Sequence, residues 1–102
     1  MNVKAISRRI AFREWFGLPR GAADVLAGLY EAAGAYVGSD SLIAAAGIAP
    51  GSLRYHLTLI RQALDYDGLD SGPGQVYRLD ERGITECRVA LSTIGEELRG
   101  AA

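Results

Sequence analysis

The stretch SDSLIAAAGIAPGSLRYHLTLIRQAL, residues 39–64, decides the fold. Ser39 and Asp40 are residue types whose side chains accept from the free N–H groups of a helix start, so a short helix is expected from Ser41 to Ala46, with Leu42, Ile43 and Ala46 apolar. Gly47 ends it. In the tight connection Gly47-Ile48-Ala49-Pro50-Gly51-Ser52, Gly47 tolerates a positive φ and Pro50 suits the first turn of a following helix. Leu53, Leu57, Ile60 and Leu64 then recur at four, three and four residues, which puts them on one stripe of a second helix. The same arithmetic puts Tyr55, Thr58 and Gln62 opposite the stripe, with Arg54 and Arg61 on one edge and Ser52 and His56 on the other.

Upstream, Ala22, Val25, Leu26, Leu29, Tyr30 and Ala33 repeat at helical spacing and predict a helix over 22–33, stopped by Gly34. Tyr36 and Val37 read as a short extended link. Residues 3–16 fit a strand over 9–16 as well as a helix over 3–13, and both readings stay open. Downstream, Asp67-Gly68-Leu69-Asp70-Ser71-Gly72-Pro73-Gly74 is dense in turn formers and Gln75-Val76-Tyr77-Arg78-Leu79 has strand character, which predicts a hairpin within 66–80. A last helix is expected over 84–99, with Ile84, Cys87, Leu91, Ile94 and Leu98 in heptad-like spacing.

The reading is one domain over residues 1–102, made of a basic and aromatic segment (1–20), a three-helix core (22–65), a hairpin (66–80) and a C-terminal helix (84–99). The fold class is mainly α with a small β-hairpin. A short helix, a tight turn and a longer amphipathic helix form the helix-turn-helix pattern, and a Gly-rich hairpin directly after it is the wing of a winged helix-turn-helix. The major groove of B-DNA admits one α-helix, anchored from behind by apolar residues while polar side chains reach bases and phosphates. The expected ligand is therefore double-stranded DNA, and the expected role transcription regulation.

These elements resemble the DNA-binding effector domain of OmpR-type response regulators over about residues 9–79. Leu18-Pro19 with Val25-Leu26, and Val37-Gly38-Ser39-Asp40-Ser41-Leu42, look like the segments that open the family's first two helices. The run from Leu53 to Leu64 is similar to the family's recognition helix at its apolar positions, His56 and Arg61, and Gly74-Gln75-Val76-Tyr77-Arg78-Leu79 resembles the wing strand with one residue added. The chain departs from the family at Ala22, where a glutamate is usual, at Ala63, where a lysine is usual, and in a shorter turn before the recognition helix. The shorter turn argues against the family's polymerase contact through that loop, and with no receiver domain expected before the motif, phosphorylation-driven control is not carried over. Tyr77-Arg78-Leu79-Asp80-Glu81-Arg82-Gly83 is similar to the exit from the wing in MarR- and PadR-like repressors, where a terminal helix dimerises.

The candidate DNA-binding residues are Ser52, Arg54, Tyr55, His56, Thr58, Arg61 and Gln62 of the recognition helix, Arg78 of the wing, and Arg8 and Arg9 of the N-terminal segment. The formal net charge is −1, but Lys4, Arg8, Arg9, Arg13 and Arg20 face only Glu14 within residues 1–20. That basic segment is either a solvated surface or a phosphate contact. A protein-interaction module of the same fold is the alternative function, and acidic side chains breaking a band through Arg54, Arg61, Arg78 and the N-terminal arginines would favour it.

Catalysis finds no support: Ser52 and Cys87 have no local base motif, and no Gly-x-Ser-x-Gly or phosphate-loop pattern occurs. The lone His56 and lone Cys87 form no metal cluster, so His56 reads as a phosphate contact or packing residue, and no cofactor is expected. The single cysteine, the absence of a signal-peptide apolar run and the lack of a membrane-length stretch suggest a cytoplasmic protein without membrane contact. The C-terminal stripe suggests a homodimer, with a helix folded back on its own domain as the alternative. Trp15 and Phe16 belong to a core or a dimer interface, and the transcription machinery is a further candidate partner.

Overall fold

The computed structural model describes residues 3–100, with side chains described from Arg8 to Gly95. The described residues form five α-helices, one 3-10 turn and a small antiparallel sheet: α1 (Val3–Phe16), α2 (Arg20–Glu31), β1 (Val37–Gly38), α3 (Ser39–Ala46), the 3-10 turn (Pro50–Ser52), α4 (Leu53–Ala63), β2 (Leu69–Gly72), β3 (Val76–Leu79) and α5 (Glu81–Gly100). The strand order is β1-β3-β2.

The open question over residues 3–16 resolves as a helix. Ala11 and Phe12 are buried one after the other while Ile10 and Arg13 face outward, a pattern that suits a helix packed along one side and not a strand with alternating faces. Phe12 anchors α1: its ring lies 6.0 Å from that of Phe16 and 6.2 Å, edge-on, from Tyr30 of α2. Phe16 packs against the core, whereas Trp15 is 41% exposed. The aliphatic core comes from α2 (Val25, Leu26, Leu29), α3 (Leu42, Ala46) and α4 (Leu53, Leu57, Ile60), joined by Leu18, Leu64 and Leu79.

Several helix boundaries differ from the sequence expectation, and α2 already begins at Arg20. The second helix ends at Glu31, two residues early, because Ala33 takes φ 53° and Gly34 φ 94°. Ser39 and Asp40 lie inside α3 and do not cap it. Gly38 is the boundary, since β1 pairs with β3 up to that residue and the Ser39 N–H then donates to the Gln75 carbonyl at 3.0 Å. The last helix begins at Glu81, three residues early, with the Asp80 carboxylate accepting from the Gly83 N–H at 3.0 Å.

The Tyr36-Val37 link is also more than a link, because Val37 pairs with Tyr77 and Gly38 with Val76. In the hairpin, Leu69, Ser71 and Gly72 face Leu79, Tyr77 and Val76, and Asp70 faces Arg78. Alternation turns Leu69, Leu79, Tyr77 and Val37 to the core and leaves Asp70 and Arg78 on the other face.

Along α5, Cys87, Ala90 and Ile94 are buried within the chain and Ile84 and Leu91 pack partly against the core. The stripe that suggested a dimer is thus largely covered by the protein's own α1 and sheet. Leu98 lies outside the described side chains, as do Val3, Lys4 and Ile6. No helix among the described residues is long and apolar enough to cross a membrane.

Candidate nucleic-acid interface

Gly47 closes α3 in the left-handed conformation, φ 63°, where its N–H donates to Ile43 O. Pro50 opens the 3-10 turn that leads into α4. Six residues separate α3 from α4, and α4 presents its apolar stripe inward. Leu53, Leu57, Ile60 and Leu64 are at most 5% exposed, and each stabilises the fold by about 2 kcal/mol. Anchored in this way, α4 turns Arg54, Tyr55, Thr58 and Gln62 to solvent, with Ser52, His56 and Arg61 half-buried at the margins.

The structure brings seven of the ten sequence candidates together on and before α4, but they are not equally available. Ser52 Oγ donates to Ala49 O at 2.7 Å and Thr58 Oγ1 donates to Arg54 O at 2.9 Å, so both hydroxyl protons are used within the backbone and only lone pairs face outward. His56 stacks on Tyr55 with ring centroids 5.4 Å apart and planes at 15°. Its far side meets α2, since a Cβ at Gly21 would come 2.6 Å from His56 Nε2. Gly21 is what lets α2 approach this closely. His56 Nδ1 is buried and has no hydrogen-bond partner.

Charge separates the arginines further. Arg54 and Arg61 make no ion pair within 4.0 Å among the described residues, and no carboxylate occurs in α4. The other three candidates are compensated. Arg9 Nε donates to Asp24 Oδ1 at 2.7 Å, a hydrogen bond that raises the guanidinium pKa above its ordinary value, with the carboxylate charge acting in the same direction. Arg20 approaches the same carboxylate at 3.7 Å. Arg8 lies 5.3 Å above the Tyr30 ring and 3.9 Å from Glu31. Arg78 donates from Nε to Asp70 Oδ2 at 3.2 Å, meets the same oxygen through its second terminal nitrogen at 3.1 Å, and stacks 5.1 Å from the centroid of Tyr36.

The basic N-terminal segment is thus spent in large part on α2, and the continuous positive band from α4 through Arg78 to residues 8–9 is interrupted by Asp24, Glu31 and Asp70. Beyond α4, Arg82 holds Asp67 at 2.9 Å and Asp65 at 4.0 Å, which partly neutralises the acidic turn that follows the helix. Sequence reasoning missed Asp24, Tyr36, Asp70 and Arg82. Strand alternation about the Gly-rich tip would have indicated only the Asp70–Arg78 pair, because the others depend on packing between distant segments.

Cys87 is buried, and burial, aided by the charge of Glu86, pushes its thiol up to about 12. Among the described residues no three His, Cys, Asp or Glu side chains gather as a metal site requires. No protein-family profile, curated protein or solved structure matches the chain.

Proposed function

We propose that the chain is a winged helix-turn-helix domain that binds double-stranded DNA and regulates transcription, with α4 as recognition helix and the β2–β3 hairpin as wing. The observation that carries this reading is the state of Arg54 and Arg61: two guanidinium groups without an ion pair among the described residues, Arg54 exposed and Arg61 at the margin of the polar side of a helix whose inner face is locked into the core. A planar guanidinium donates a fork of hydrogen bonds that matches guanine O6 and N7 or a phosphate. Tyr55 and Gln62 add a ring and an amide to the same face. The element order supports the fold, since a strand before α3 pairs with the hairpin after α4 and ties the wing to the helical unit.

Selection of bound sequences from a random duplex pool tests the reading. Enrichment of a shared motif by the parent, lost in the Arg54→Ala, Arg61→Ala double variant, is the expected result. A folded parent that enriches nothing at low salt rejects it.

A second reading, a protein-interaction module of the same fold, is favoured by the neutralisation of Arg8, Arg9 and Arg78. It predicts no duplex binding under any salt condition. In either reading Cys87 and Ile94 are taken up by the chain's own core, and Ile10, Trp15 and Val89 are the exposed large apolar side chains among the described residues of α1 and α5.

A further inference from the structure

We propose that Asp70 is a charge brake on the hairpin: it withholds Arg78 from phosphate, so that α4 carries the electrostatic part of DNA binding. This rests on the DNA-binding reading above. The hairpin from Leu69 to Leu79 contains only these two charges, and its tip, Pro73-Gly74-Gln75, has none. Asp70 and Arg78 stand directly opposite each other in the β2–β3 ladder, so their meeting is set by backbone register and not by a chance of side-chain reach.

One carboxylate oxygen, Asp70 Oδ2, takes two of the guanidinium nitrogens at 3.2 and 3.1 Å, and Tyr36 covers one face of the group. The pair nevertheless remains open to water, with side chains 39% and 42% exposed. An exposed ion pair of this kind is held weakly, and salt weakens it further. Arg78 therefore has a stacked guanidinium whose one ion-pair partner among the described residues is the replaceable Asp70. The hairpin itself is fixed beside the α3–α4 unit, because the Ser39 N–H that opens α3 donates to the carbonyl of Gln75 at the hairpin tip.

Removing the carboxylate charge while keeping its shape converts a neutral hairpin into one of charge +1. Each phosphate neutralised by a protein cation steepens the fall of log affinity with log salt by about 0.9 on duplex DNA. Asp70→Asn is therefore expected to bind duplex DNA about fivefold tighter at low salt and to steepen the salt slope by about one, without a change in preferred sequence.

The test is duplex titration across salt for the parent, D70N and the D70N/R78Q double variant, with thermal melting to establish that each is folded. A tighter, steeper D70N whose gain disappears in the double variant supports the brake. Equal or weaker binding by folded D70N overturns it, as does a gain that survives the loss of Arg78, which would make Asp70 a simple through-space repulsion. Parent binding that depends on Arg54 and Arg61, with no gain in D70N, removes the brake and leaves the DNA-binding reading standing. Absence of duplex binding by the parent and D70N alike removes both.

Discussion

The carbonyl oxygen of Gly68 occupies the space in which a side chain at Gly83 would begin. The same oxygen accepts the Asp80 N–H at 2.9 Å, and a Cβ at Gly83 would also fall 3.0 Å from Leu79 Cδ2. The first turn of α5 is thereby seated against Gly68, the residue before β2, at a distance only glycine permits. Because the obstacle is backbone, it cannot rotate away. Gly83→Ala is expected to destabilise the fold by about 2–4 kcal/mol. Gly51→Ala, where nothing lies within 4 Å, should stay within about 0.5 kcal/mol of the parent. Urea unfolding of the two variants checks the contrast, and equal midpoints would refute the close approach.

Arg54 and Arg61 should separate binding from stability. Neither makes an ion pair among the described residues, so Arg54→Ala and Arg61→Ala are expected to leave the melting temperature near that of the parent. Each should cost about 1–3 kcal/mol of duplex binding where the contact is a bidentate base contact. Loss at a single base position identifies such a contact, and uniform weakening across sequences identifies a phosphate.

Arg9 should behave in the opposite way. Its partner Asp24 is only 12% exposed in its side chain, so Arg9→Ala removes the 2.7 Å hydrogen bond from that carboxylate and leaves it only the longer Arg20 contact at 3.7 Å. A lower melting temperature is expected, with duplex affinity of the folded variant unchanged. Arg9→Ala, Asp24→Asn should recover part of the loss. A fall in affinity with an unchanged melt would return Arg9 to the DNA-contacting set.

Cys87 has a folded pKa raised from the ordinary 9.0 to about 12, chiefly by burial. For an acid whose folded pKa is the higher one, the unfolded chain loses its proton first as pH rises. Its contribution is complete below about pH 9 and declines between pH 9 and pH 12. Stability is expected to fall over that window in the parent and to fall less in Cys87→Ala, measured by urea titration at each pH. Alkylation of the thiol at pH 8 should be slow in the native protein and fast in denaturant, since the thiolate is the nucleophile.

Self-association is expected to depend on the outer sides of α1 and α5. Light scattering across concentration is expected to show a two-fold assembly that Trp15→Glu or Val89→Glu dissociates. A 10.9 kDa species at every concentration removes the dimer.

Residues 39–64 determined by themselves the helix stop at Gly47, the inward stripe of α4 and the polar side from Arg54 to Gln62, because each is a matter of spacing between near neighbours. Local sequence also placed the hairpin, through its glycines and its strand residues. Tertiary structure decided the rest. Whether 3–16 is helix or strand depended on which side Phe12 found its partners, Phe16 and Tyr30. Two residues, Val37 and Gly38, form a strand only because β3 lies beside them. The α5 stripe reads from sequence as an interface, but it meets the chain's own core. Above all, a count of arginines cannot tell a free cation from a spent one. Asp24 lies 15 residues from Arg9, Asp70 meets Arg78 only across a folded ladder, and Arg54 and Arg61 make no ion pair among the described residues.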